Sequence, residues 1–228
     1  HSRILRRTPV QYLLLVGVAG ITNASLGQST QWIRQFGTAG DDHATAITFG
    51  VQGDAVVGGY AYGPLCGPHL GGVDCWLRRF DSAGNAMWSS QFGTSANDNI
   101  WAIASKGTAG FWTGGHTQGS LGGPLAGAAD GWIACYDWNG NQVWLRQFGS
   151  TGEDVLYDIC PAGNGGAFAT GSTSGAFGGP SAGLRDFWIA RIDDAGSFVW
   201  VRQYGTNQSD DPLAIVPDAA GGVFVCGH

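Results

Sequence analysis

Seven aspartates at a fixed spacing have the most chemistry to offer. Asp42, Asp98, Asp154 and Asp210 form one column, and Asp74, Asp130 and Asp186 form a second. Carboxylate oxygens are the ligands calcium prefers. They are equally what backbone N–H groups at a strand entry or tight turn seek. Calcium binding, turn fixing and contact with a ligand all stay open, with turn fixing the bland reading. The five histidines are scattered; His116 and His228 share a repeat position held by Tyr60 and Ser172 elsewhere. A hydrogen-bonded histidine at a strand end is expected there, not a metal ligand. Cys66, Cys75, Cys135, Cys160 and Cys226 fall at five different repeat positions, so no metal framework is built by repetition. Cys66 and Cys75 could bridge one loop in an oxidising compartment or stay free. No catalytic residue and no metal site are assigned, and no cofactor is expected, with calcium left open.

The spacing of the acids comes from an internal repeat. "WIRQFGTAGDD" returns as "WSSQFGTSAND", "WLRQFGSTGED" and "WVRQYGTNQSD", led by Trp32, Trp88, Trp144 and Trp200 at steps of 56 residues. Gln35, Gln91, Gln147 and Gln203 never vary; nor do Gly37, Gly93, Gly149 and Gly205. Trp76, Trp132 and Trp188 make a further column. A period of this order means a solenoid, a propeller or an array.

Each unit reads as four short strands, a to d, bounded by Gly, Pro or Asp. In the first unit they are 43–49, 55–61, 75–81 and 85–92, which gives blades at about 42–92, 98–148 and 154–204 and a partial blade at 210–228. Strand a carries a column of Thr45, Trp101, Tyr157 and Leu213 with isoleucine two places on, read as one period-2 face. The c–d turns "DSAGN", "DWNGN" and "DDAGS" have the Asp and Gly of a tight hairpin. The expected fold is all-β: propeller blades of four antiparallel strands, about three and a half of them in an open arc, preceded by a lone strand d at 32–36. Trp32, Trp76, Trp88, Trp132, Trp144, Trp188 and Trp200 are expected to pack the framework.

The strings "WIRQFGTAGDD", "GGYAYG" and "DFWIARIDDAGSFVWVRQYGT" resemble the bacterial SBBP-type (seven-bladed β-propeller) repeat family over residues 32–228. That resemblance implies an exported or cell-surface propeller and carries no catalytic residue. The hairpins with their following tryptophans are also similar to the tryptophan-docking repeats of quinoprotein dehydrogenases, but lack the threonine of that motif. An extracellular propeller enzyme, quinoprotein-like or acting on polysaccharide, is therefore the alternative to a binding scaffold.

Forty glycines and ten tryptophans in 228 residues, with only 12% charged, fit many tight turns around aromatic-bearing strands. The net charge is −6 and the eleven basic residues form no stripe, so nucleic acid is not an expected partner. Residues 1–27 run basic, apolar, then small, the order of a signal peptide or N-terminal anchor. Export follows, and with cleavage the protein is not integral to a membrane. The expected partners are a protein or glycan ligand, engaged on the face formed by the b–c and d–a loops, and further C-terminal blades of a longer chain.

Overall fold

The computed structural model describes residues 13–15, 32–163 and 165–228. Among them, three four-stranded antiparallel sheets follow one another along the chain. The first holds β3 (Asp42–Phe49), β4 (Ala55–Ala61), β5 (Asp74–Phe80) and β6 (Ala86–Phe92). The second holds β7 (Asp98–Ser105), β8 (Phe111–Thr117), β9 (Asp130–Tyr136) and β10 (Gln142–Phe148). The third holds β11 (Asp154–Pro161), β12 (Ala167–Thr173), β13 (Asp186–Ile192) and β14 (Phe198–Tyr204). β15 (Pro212–Pro217) and β16 (Val223–Gly227) repeat the first two strands of this meander. The chain is all-β, and strands a to d become four-stranded antiparallel sheets.

The turns explain the order. Asp81 Oδ1 accepts the N–H groups of Ala83 and Asn85 at 2.9 and 2.8 Å, closing the β5–β6 hairpin, and Asp137 and Asp193 do the same in the next two sheets. Gly84, Gly140 and Gly196 complete these turns at φ of 77°, 85° and 82°, where a side chain is strained.

Each sheet has two apolar faces and buries both against its neighbours. One cluster, with Val56, Leu77, Ile100 and Trp132, lies between the first and second sheets. A second, with Ile133, Leu156 and Trp188, lies between the second and third. Phe168, Cys160 and Ile215 join the third sheet to β15–β16. Successive strands β3, β7, β11 and β15 are neighbours in this stack. Trp76, Trp132 and Trp188 are essentially solvent-free, at 1%, 0% and 0% exposure.

Three expectations change. The leading strand β2 (Ile33–Gln35) is not alone: β1 (Leu13–Leu15) pairs with it antiparallel, Leu14 opposite Arg34. The other residues of 1–27, read as an export signal, lie outside the described ones. The Thr45 column does not share a regular face with the isoleucines, because the register shifts by one residue at Thr45, Trp101, Tyr157 and Leu213. Each sits in a β-bulge, which breaks the two-residue alternation. Finally, Cys66 and Cys75 are both free. Cys75 faces the second sheet while Cys66 packs with Phe36 and Leu65 on the opposite face of the first.

Candidate functional site

The two acid columns meet across each sheet boundary. Asp74 begins β5, Asp98 begins β7, and both carboxylates close on Gly93: a methyl there would stand 2.7 Å from Asp74 Oδ1 and 2.9 Å from Asp98 Oδ2. Asp130 and Asp154 close on Gly149 in the same way, at 2.8 and 2.9 Å. The backbone is joined at the same place. Asp98 N–H donates to Val73 O and Asp154 N–H to Ala129 O, both at 2.8 Å, so each b–c loop lies beside the next d–a turn.

These carboxylates accept from N–H and O–H donors. Asp98 Oδ2 takes the backbone N–H and hydroxyl of Thr94 at 2.6 and 2.9 Å, and its Oδ1 takes the Thr117 hydroxyl. Asp74 Oδ2 takes Leu70 N–H at 2.7 Å and Gln91 Nε2 at 3.1 Å. Gln91 in turn accepts Leu65 and Cys66 N–H on Oε1, which pins the b–c loop; Gln147 and Gln203 repeat this. Of the seven repeated acids, Asp42, Asp74, Asp98, Asp130, Asp154 and Asp186 are buried, and Asp210 is half-buried, held by Thr206. Their bonds to backbone N–H groups are those of turn-fixing residues, while Asp74 Oδ1, Asp154 Oδ1 and Asp186 Oδ1 have no hydrogen-bond partner among the described residues. Burial raises the Asp98 and Asp154 carboxyls above the ordinary value. The hydrogen bonds oppose that shift, and the facing Asp74 and Asp130 add to it.

A second set of residues varies from unit to unit and gathers where the strands a begin. His43 stacks on Tyr60 with ring centroids 4.5 Å apart. Tyr60 meets Trp101 of the next sheet edge-on at 5.6 Å and Tyr62 at 6.4 Å. Trp101 stacks on His116 at 6.0 Å and donates its Nε1–H to His116 Nδ1 at 2.9 Å. Burial pushes the His116 imidazole below its ordinary value, against the pull of the Glu153 carboxylate. In the third sheet Arg185 bridges Glu153 at 3.0 Å and Asp211 at 3.5 Å. A band of unlike side chains therefore crosses the sheet boundaries, aromatic at one end and ionic at the other. Sequence reading missed it as a site. The available signal was that columns 43 and 60 change residue type directly beside the invariant Asp42 and Gly59 columns, and that column 101 changes between them.

Other chemistry is thin. Burial holds the Cys66, Cys75 and Cys135 thiols above the ordinary value and pushes Cys160 up to about 12, so none is a ready thiolate. Gly179-Pro180-Ser181-Ala182-Gly183 has the spacing of a nucleophile elbow but lies in the third b–c loop, away from any strand-to-helix turn. There the Ser181 hydroxyl donates to Gly183 O. Among the described residues no group of three or more His, Cys, Asp or Glu could hold a metal. Nor is any described helix long and apolar enough to cross a membrane.

No family model matches the chain. It is 35% identical over 86 residues to the regulatory protein FlaEY of Caulobacter vibrioides, a stretch that is 34% of this chain and 9% of that protein. A crystal structure of a protein of unknown function from Bacteroides caccae aligns with 87% of this chain and 57% of its own, at 8% identity and a TM-score of 0.49.

Proposed function

We propose that this chain is a propeller-type repeat scaffold, exported to the bacterial envelope or beyond, that binds a ligand instead of transforming one. In this reading the sheets are blades set about an axis with β3, β7, β11 and β15 innermost, as the SBBP-type resemblance implies. The ligand engages the side on which those strands begin. One observation supports it above others: side chains of unlike type, from His43 to Arg185, cluster on one side of a regularly repeated frame. A rigid repeat frame with variable residues on one side is how repeat scaffolds present contacts.

The reading is tested by assaying the chain and its Trp101→Ala and Asp98→Asn variants against an array of glycans and envelope proteins. Binding that Trp101→Ala removes and folded Asp98→Asn retains supports it. A well-folded chain that binds nothing on the array, or binding indifferent to Trp101→Ala, overturns it.

A further inference from the structure

We propose that the aromatic end of the band, Tyr60, Tyr62 and Trp101 with His43, is a stacking platform for a neutral carbohydrate; this rests on the binding reading above. The fold does not require aromatic residues at these positions. Trp101 occupies a bulge on its strand, a device that re-aims a side chain, and the equivalent bulges carry Thr45, Tyr157 and Leu213. Tyr62 is 52% exposed, so its ring is accessible to a ligand.

The rings are also held in advance. Tyr60 lies nearly parallel to His43 at 22°, and Trp101 and Tyr62 stand across it at 69° and 67°. Trp101 is fixed from behind by its stack on His116 and its hydrogen bond to Nδ1. A ligand therefore meets fixed faces and orders few side chains on binding.

Charge and spacing select the ligand class. An ammonium ligand needs rings that surround an empty centre. Here centroids 4.5 to 6.4 Å apart mean the rings touch one another and leave outward faces, not a cage. An anionic sugar or phosphate needs a cation, but Arg185 at the far end of the band is already shared by Glu153 and Asp211. What remains is a set of ring faces, with planar amides on the second sheet, the sheet that carries Trp101. Asn97 and Gln118, in the second sheet's copy of the Asp41 and Tyr62 positions, are joined by an exposed bond from Asn97 Nδ2 to Gln118 Oε1 at 2.9 Å. That combination suits a pyranose, whose C–H face lies on an aromatic ring while its hydroxyls pair with amide donors and acceptors.

The experiment titrates the chain with neutral oligosaccharides, namely hexamers of α-linked glucose, β-linked glucose and N-acetylglucosamine, by calorimetry and tryptophan fluorescence. At least one is expected to bind and to perturb the emission, with Trp101→Ala and Tyr62→Ala each weakening it about tenfold or more, ~1.4 kcal/mol. Tyr62→Phe is expected to keep most of the affinity, since it keeps the ring. Tyr62 is exposed, so its variants stay informative even where Trp101→Ala disturbs folding. Absence of binding to all three sugars, or binding unchanged in Tyr62→Ala and Trp101→Ala, overturns the proposal. If the chain instead captures an envelope protein or peptide in a Trp101-dependent way, the carbohydrate assignment falls and the binding reading stands. If it binds neither, both fall.

Discussion

The indole nitrogen of Trp88 lies 2.9 Å from the carbonyl oxygen of Trp138, so the outer strand of the first sheet is bonded to the hairpin of the second. Trp32 makes the same bond to Ser82 O and Trp144 to Asp194 O, each 50 residues along the chain. The ring also covers the hairpin glycine: a methyl on Gly140 would sit 3.1 Å from Trp88. The recurring leading tryptophan is therefore a fastener between units. Trp200, whose indole has no such bond to a c–d hairpin among the described residues, is 36% exposed. Trp88→Phe keeps most of the packing and loses the bond, so about 1 kcal/mol should go. Gly140→Ala should cost more, about 1–3 kcal/mol, from its positive φ as well as crowding. Urea unfolding of the two variants checks the order; a costlier Trp88→Phe would mean that the bond outweighs the stack.

The other tryptophan column is buried and bonded as well: Trp76, Trp132 and Trp188 donate Nε1–H to the carbonyls of His43, His116 and Ser172, each at 3.2 Å. Trp132 is fully buried between the first and second sheets, with Phe92 edge-on at 5.9 Å. Trp132→Ala is expected to cost about 3–5 kcal/mol. A loss below about 1 kcal/mol in denaturant titration would show that the sheets do not pack there as described.

Much of this was legible in the sequence because its signals are local. A period of 56 residues, an Asp and a Gly in every c–d turn, and segments of seven or eight residues rich in aromatic and aliphatic side chains mark strands and hairpins directly. The bulge at Trp101 was not legible. It is defined by which residues of β8 lie opposite β7, and a single strand carries no mark of an extra residue in its pairing. That the Asp74 and Asp98 columns lie on one face was legible from the loops that carry them, but their burial against Gly93 was not, because it depends on how one sheet stacks on the next. The His43–Tyr60–Trp101 band likewise exists only once two sheets are side by side.

That joint makes a prediction about coupling. Asp74 and Asp98 share one sheet boundary, whereas Asp130 acts with Asp154 at the next. Asp98→Asn should cost about 1–3 kcal/mol through the acceptor taken from Thr94 or Thr117. Its cost should add to that of Asp130→Asn, while Asp74→Asn with Asp98→Asn should be non-additive. The pH dependence has a definite sign. A raised folded value means the folded protein holds the Asp98 proton more tightly than the unfolded chain. Stability from this group is therefore lost as pH rises through the raised value and regained as pH falls toward the ordinary ~3.9. The margin of wild type over Asp98→Asn should widen on acidification. Neither calcium nor a chelator should move the Tm of either protein; a rise with calcium would return metal binding to these acids.

The bond from Trp101 to His116 sets the final prediction, because Nδ1 accepts it only while unprotonated, which places the proton of the neutral ring on Nε2. Burial lowers the folded value of His116, with Glu153 opposing. For a histidine lowered in this way the stabilisation is complete above the unfolded value of about 6.5 and is lost as pH falls through the folded value. Imidazole resonances should show the Nε2–H tautomer at neutral pH and a midpoint below 6.5. In Trp101→Phe that midpoint should move toward the ordinary value, since the donor favouring neutral Nδ1 is gone. His116→Gln offers an acceptor that does not titrate in this range, so it should flatten the dependence of tryptophan emission on pH. A wild-type midpoint at or above 6.5, or the Nδ1–H tautomer, would mean that His116 does not hold Trp101, and the platform would lose its rear support.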